Sequence, residues 1–145
     1  MASQSKVCFF FEKKDFTLCQ REHLKAFIQD IFKKEKKKLE SLNYIFCSDK
    51  KILEINRRFL NHDYYTDIIS FDLSEDVSTK GEIYISIDRI KENAHILGTS
   101  FKFELLRVIF HGTLHLCGYE DKTKEETQKM RDREEHYLTK YDRST

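Results

Sequence analysis

Residues 101–121 read FKFELLRVIFHGTLHLCGYED, and this stretch decides the fold. From Phe101 to Cys117 apolar side chains occupy nearly every face of a helix. A helix on the surface shows one apolar stripe, whereas one that is apolar all round is buried. The stretch therefore predicts a central buried helix, stopped by Gly118 as glycine stops helices elsewhere. Upstream, Ile87, Ile90, Ala94 and Leu97 fall on one stripe of a helix over Asp88–Leu97 that ends at Gly98. Downstream, Thr123 and Glu126 form a capping box, which opens a last helix with Met130, Tyr137, Leu138 and Tyr141 on one side.

Further out, the period changes from that of a helix to that of a strand. Ile83, Ile85 and Ile87 alternate strictly over Glu82–Ile87, and Thr66–Asp72, Leu42–Cys47 and Lys6–Phe11 also read as strands. A polar loop, LSEDVSTKG, covers residues 73–81. Ser48 caps a short helix carrying Ile52, Ile55, Phe59 and Leu60. Thr17 and Gln20 have capping-box spacing, and the helix they open is expected to run to Leu39 with Leu24, Phe27, Ile28, Ile31 and Phe32 on one face. Strand, helix and strand in succession predict a right-handed crossover and a parallel pairing of the second and third strands. The helix-free loop before Glu82 predicts an antiparallel return. The expectation is an α/β (α+β-like) fold: one layered domain over residues 1–145, with a small mixed four-stranded sheet and about five helices.

Composition agrees with one folded domain. The chain has 145 residues, 39% hydrophobic, with 12 Phe and 7 Tyr, which is ample material for a core. Four Gly and no Pro exclude collagen-like and linker-rich chains. No apolar run approaches the ~20 residues of a membrane span, and Val7–Phe11 is too short for a signal peptide, so a cytoplasmic protein without a membrane partner is expected. Net charge is +1, so bulk electrostatics announce no nucleic-acid partner. Cys8, Cys19, Cys47 and Cys117 show no CxxC spacing and read as buried, reduced thiols. The run Lys33-Lys34-Glu35-Lys36-Lys37-Lys38 reads first as a solvated helix end facing the negative pole of the dipole, and second as a phosphate contact.

The chemistry is concentrated in the central helix. His111 and His115 are four residues apart, so their imidazoles project from one face, one turn apart. Gly118 lets the chain turn back, and Asp121 follows at a distance from which it can supply a third ligand. Unpaired imidazoles are costly in an apolar helix, which favours a shared metal over two independent core histidines. Three protein ligands with one position open form a catalytic rather than a structural metal site. Gly112 stands where an HExxH protease carries its glutamate, which argues against a peptidase.

The pattern His111-Gly-x-Leu-His115-Leu-x-Gly118-Tyr-x-Asp121 resembles the signature of the YbeY family, the metal-dependent endoribonucleases of rRNA maturation. Asn56-Arg57-Arg58-Phe59, Asp63-Tyr-Tyr-Thr66-Asp67-Ile-Ile-Ser70-Phe71, Gly81-Glu-Ile-Tyr-Ile-Ser86 and Glu104-Leu105 are similar to further blocks of that family, in the same order. Together the blocks span residues 42–137. The resemblance implies one bound divalent metal, usually zinc, held by His111, His115 and Asp121. It also implies an RNA substrate, a role in 16S rRNA processing and ribosome quality control, and a ribosomal subunit or ribosomal proteins as partners. The family usually has a third histidine where this chain has Asp121, and an arginine where it has Leu60. Tyr65 and Asp72 replace family prolines.

On this reading His111 and His115 serve catalysis through the metal, which either acidifies a water or acts as a Lewis acid on a phosphate oxygen. Glu120 is the nearest spare carboxylate for proton transfer, with capping of its loop as the alternative. Thr66 and Ser70 offer hydroxyls to the substrate backbone, and Asp67 orients a neighbour. Arg57 and Arg58 are candidate phosphate contacts, Arg57 as a stand-in for the missing arginine, with Lys102, Arg107 and Lys122 as further basic residues near the site. The alternatives are a metal hydrolase of another substrate class and a non-catalytic ribosome-assembly factor with a structural metal.

Overall fold

Alternating apolar residues build the strands, and the periodic stripes between them build the helices that cover the sheet. A computed structural model describes residues 5–62 and 64–145. Asp63, which opens one of the motif blocks quoted above, lies outside the described residues. In chain order the elements are β1 (Val7–Phe11), α1 (Arg21–Lys34), β2 (Lys38–Cys47), α2 (Asp49–Phe59), β3 (Ile68–Asp72), β4 (Ser78–Ser86), α3 (Ile87–Leu97), α4 (Phe101–Leu116) and α5 (Lys124–Ser144). The fold is the expected α/β layer, with a mixed sheet of four strands and five helices among the described residues.

The strand order is β1-β2-β4-β3. β2 is parallel to both β1 and β4, and β3 is antiparallel to β4. The expected parallel pairing of β2 with β3 is therefore wrong: β4 lies between them, and β3 runs opposite to β2. The physical reason is the hairpin. Residues 73–77 form a tight connection in which Asp72 Oδ1 accepts from Ser74 N at 3.0 Å and Asp76 Oδ1 from Ser78 N at 2.8 Å. β4 folds straight back on β3, starting at Ser78 rather than Glu82, and buries Gly81, Ile83 and Ile85 at the sheet centre. The short β3, with only Ile69 fully buried, is left at the edge.

Two further expectations are corrected around α1. Its start has no capping box: Gln20 takes φ 53° with no side-chain cap, and the Thr17 hydroxyl accepts from the Arg21 guanidinium instead. Its end comes at Lys34, not Leu39. Lys36 adopts φ 59° and Lys37 N donates to Phe32 O at 2.8 Å, so the chain reverses and β2 begins at Lys38. The capping box of α5 is present as expected. On α3, Ile90 and Ala94 are buried but Leu97 is exposed.

The main core lies between α4 and one face of the sheet. Leu105, Val108, Ile109, Phe110 and Leu114 meet Val7, Leu42, Tyr44, Phe46, Ile83 and Ile85. Fully burying one such side chain is worth about 1.5–3 kcal/mol. Met130, Tyr137 and Tyr141 of α5 belong to the same core. A smaller cluster under α2 joins Ile52 and Ile55 to Cys47 and Ile69. Burial pushes the thiols of Cys47 and Cys117 up to about 12, which makes them inert. Cys19 is exposed and Cys8 half-buried, so burial holds for only two of the four cysteines. Among the described residues no helix is long and apolar enough to cross a membrane.

Candidate metal centre

α4 presents His111 and His115 one turn apart, with ring centroids 4.6 Å apart and planes at 84°. The residue between them explains how deeply the site is set. A Cβ on Gly112 would stand 2.7 Å from Ile68 Cδ1 and 3.1 Å from Ile83 Cγ2. Only glycine lets α4 press this closely on β3 and β4, and the approach brings the imidazoles beside the cleft-facing residues of β3. After α4, Gly118 takes φ 106° and turns the chain back. Asp121 Oδ2 then lies 3.3 Å from His111 Nε2 and 3.4 Å from His115 Nε2.

The outer partners fix which ring nitrogen faces the site. His111 Nδ1 meets Glu134 Oε2 at 2.5 Å, and His115 Nδ1 meets the Tyr119 carbonyl at 2.9 Å. Both partners are acceptors, so both Nδ1 atoms donate to them and both Nε2 atoms are left to face Asp121. Glu134 is itself held. Its other oxygen accepts from Arg107 NH1 at 3.2 Å, and Arg107 binds Glu104 through bonds of 2.7 and 2.8 Å. The hydrogen bonds that Arg107 donates to Glu104 are the main reason its guanidinium is held in its charged form. One ligand atom from each of His111, His115 and Asp121 lies within 4.8 Å of the others. Two nitrogens and a carboxylate oxygen, with the imidazoles oriented by a carboxylate and a carbonyl, fit a divalent transition metal.

The cleft around this trio has a volume of about 480 Å³. Thr66, Asp67, Ser70 and Glu120 line it as the sequence suggested, and Asp72 joins them. Burial pushes the Asp67 carboxyl up, opposed by the charges of Arg107 and His111, and Asn93 Nδ2 donates to it at 3.4 Å. Glu120 forms no hydrogen bond or ion pair among the described residues; the loop is tied instead by the Thr127 hydroxyl, which donates to the Asp121 carbonyl at 3.1 Å.

The basic candidates stand elsewhere. Arg57 and Arg58 line a separate hollow with Lys50, Leu53 and Glu54, and Arg107 is taken up by its two glutamates behind His111. Lys102 and Lys122 are not part of the cleft lining, and among the described residues no lysine or arginine is. Sequence reasoning missed Glu134, which follows His111 by 23 residues. A signal existed: Met130, Glu134, Tyr137 and Tyr141 share one helical stripe, and a glutamate on an otherwise apolar stripe marks a carboxylate with a buried partner.

Fold and site together define an α/β protein with a cluster of two histidines and one carboxylate that could hold a metal ion. The family model described as Endoribonuclease YbeY matches residues 9–142. The chain belongs to this family, as its motifs led one to expect. It is 48% identical over 137 residues to the Endoribonuclease YbeY of Cytophaga hutchinsonii, covering 94% of this chain and 96% of that one. It is 42% identical over 129 residues to the protein of the same name from Christiangramia forsetii, covering 89% and 90%. A solution structure of a Thermotoga maritima protein is similar with a TM-score of 0.64 at 33% identity, covering 96% of this chain and 92% of that one.

Proposed function

We propose that this chain is a metal-dependent endoribonuclease of rRNA maturation, including 16S rRNA processing. Residues 1–145 act as one domain, in the cytoplasm, on RNA associated with a ribosomal subunit or its proteins. The observation that carries the reading is the convergence of His111, His115 and Asp121 in a chain of this family. The metal is zinc, one per chain, because imidazole donors suit it and a carboxylate completes an accepted ligand set. When bound, such a cation supplies positive charge and Lewis acidity at the scissile phosphodiester.

The remaining work falls to the chain itself. Glu134 and the Tyr119 carbonyl hold the two imidazoles with Nε2 forward. Glu120, unpaired at the cleft wall, receives and returns a proton. Thr66 and Ser70, on the β3 side, donate hydroxyls to the RNA backbone. Arg57 and Arg58, outside the cleft, serve as outlying phosphate contacts.

Metal content and cleavage of labelled single-stranded RNA, measured on the purified wild type, Asp121→Ala, Asp121→His and His115→Ala, test the reading. We expect one zinc per wild-type chain, with cleavage lost on chelation. The alanine variants should lose metal and activity, and Asp121→His should keep its metal. Full occupancy in Asp121→Ala removes Asp121 from the site. Cleavage that survives complete metal removal sinks the metal-dependent mechanism. A His115→Ala variant that unfolds while turnover never depended on metal makes the ion structural.

A further inference from the structure

The metal cleft poses an electrostatic problem for a polyanionic substrate. It holds four carboxylates, Asp67, Asp72, Glu120 and Asp121, and among the described residues no lysine or arginine lines it. Affinity for nucleic acid comes mostly from cations that displace counterions along the phosphate backbone. Those cations must therefore lie beside the cleft.

The turn after α1 supplies them. Lys33, Lys34, Lys36, Lys37 and Lys38 are all exposed. The one acid in the run, Glu35, faces inward and is fully engaged: it accepts from Tyr119 OH at 2.8 Å, Arg133 NH2 at 2.7 Å and Tyr137 OH at 2.5 Å. Lys34 is paired with Asp30 at 2.9 Å. Lys33, Lys36, Lys37 and Lys38 form no ion pair among the described residues. Compensation of the helix dipole accounts for Lys33 and Lys34 in the last turn, but Lys36, Lys37 and Lys38 lie beyond it. Lys33, Lys37 and Lys38, with Lys6 just before β1, border a hollow of about 550 Å³.

This turn is fixed to the metal loop. Tyr119 accepts from His115 Nδ1 with its carbonyl and donates to Glu35 with its hydroxyl. Lys37 Nζ lies 4.0 Å from the point where a Cβ on Gly118 would stand, three residues before Asp121. The lysines thus keep a set position beside the metal ligands.

We infer that the Lys33–Lys38 turn, with Lys6, is a phosphate-binding track that holds the RNA strand as it leaves the metal cleft. The inference rests on the endoribonuclease reading and adds to it where substrate affinity arises. It assigns to the run the phosphate contact that ranked second to a solvated helix end, and the exposed lysines and basic last turn of α1 agree with both.

The test is equilibrium binding of a labelled single-stranded RNA of mixed sequence to the zinc-loaded wild type and to Lys36→Gln/Lys37→Gln/Lys38→Gln, across a salt series. Lys14→Gln/Lys91→Gln, at two exposed lysines given no part in RNA binding, serves as a control, and melting curves and metal content confirm folding. Losing three contacts at ~0.7 per phosphate should reduce the slope of log K against log salt by about 2. Unchanged slope and affinity, or the same loss in the control pair, overturns the inference and leaves the turn to solvent or to an acidic protein surface. Should the triple variant fold poorly, Lys36→Glu/Lys38→Glu must weaken binding at low salt, and unchanged affinity there overturns the inference equally. Failure of the parent reading looks different: wild-type protein then binds RNA through this track but does not cut it.

Discussion

Glu134 offers the sharpest perturbation of the proposed centre, because it touches His111, a proposed ligand, without being one. Its side chain is 5% exposed and bridges His111 Nδ1 and Arg107. In Glu134→Ala, His111 loses the acceptor that holds its Nδ1 and orients the ring. Loss of such a partner costs 10–100-fold in metal affinity, or about 1.4–2.7 kcal/mol. Stability falls as well. Arg107 keeps both bonds to Glu104, so no uncompensated charge is buried, and the cost is that of unsatisfied polar groups, about 1–3 kcal/mol. Glu134→Gln keeps one acceptor oxygen but places an amide among donors, and should fall between the two. Competition for zinc against a chromophoric chelator at neutral pH, with a urea melt on each variant, separates affinity from folding. A folded Glu134→Ala protein with wild-type zinc affinity would refute the argument that this carboxylate sets the ligand.

Two more predictions follow from packing and from charge. Gly112→Ala gains about 1 kcal/mol in helix propensity but overpacks against Ile68 and Ile83 at a cost of about 1–3 kcal/mol, so the variant should be less stable than wild type in urea. Adding Ile68→Val, which removes the atom 2.7 Å away, should restore part of the loss, and a Gly112→Ala protein more stable than wild type contradicts the tight seat. Burial pushes the Glu35 carboxyl up, but the hydrogen bonds from Tyr137, Tyr119 and Arg133 together hold it below its ordinary range. A lowered folded-state value means stability that is present at neutral pH and lost as pH falls through the ordinary glutamate range near 4.5 and below it. Glu35→Gln should flatten the acid limb of the urea midpoint against pH, and identical limbs in both proteins would deny Glu35 that part.

What the sequence disclosed, and what it hid, follows from the range of the interactions. α4 and its two histidines were readable because helical spacing is local: residues four apart share a face whatever the rest of the chain does. Asp121 was within reach because one glycine turn separates it from the helix. The end of α1 was not readable. Lys33–Leu39 has the composition of a helix end, and only the positive φ at Lys36 shows that the chain turns there. Strand order was hidden for a similar reason. Alternation shows that Ile83 and Ile85 lie in a strand, but a short hairpin, not a local pattern, inserts that strand between its neighbours. Glu134 was hidden by distance along the chain, and the acidity of the cleft emerged only once Asp67, Asp72, Glu120 and Asp121 were seen to line it together.

The glycine seat beneath the two imidazoles also limits what chemistry this scaffold can acquire. A zincin peptidase keeps its general base on the residue after the first histidine. Here that residue faces the isoleucines of the sheet, so a glutamate at this position would drive a carboxylate into hydrocarbon instead of toward a reactant. No single codon change turns this centre into a protease. Any proton acceptor has to be recruited from the opposite rim or from the loop beyond the helix, and variation that retunes the chemistry should accumulate there while the ligand helix stays fixed.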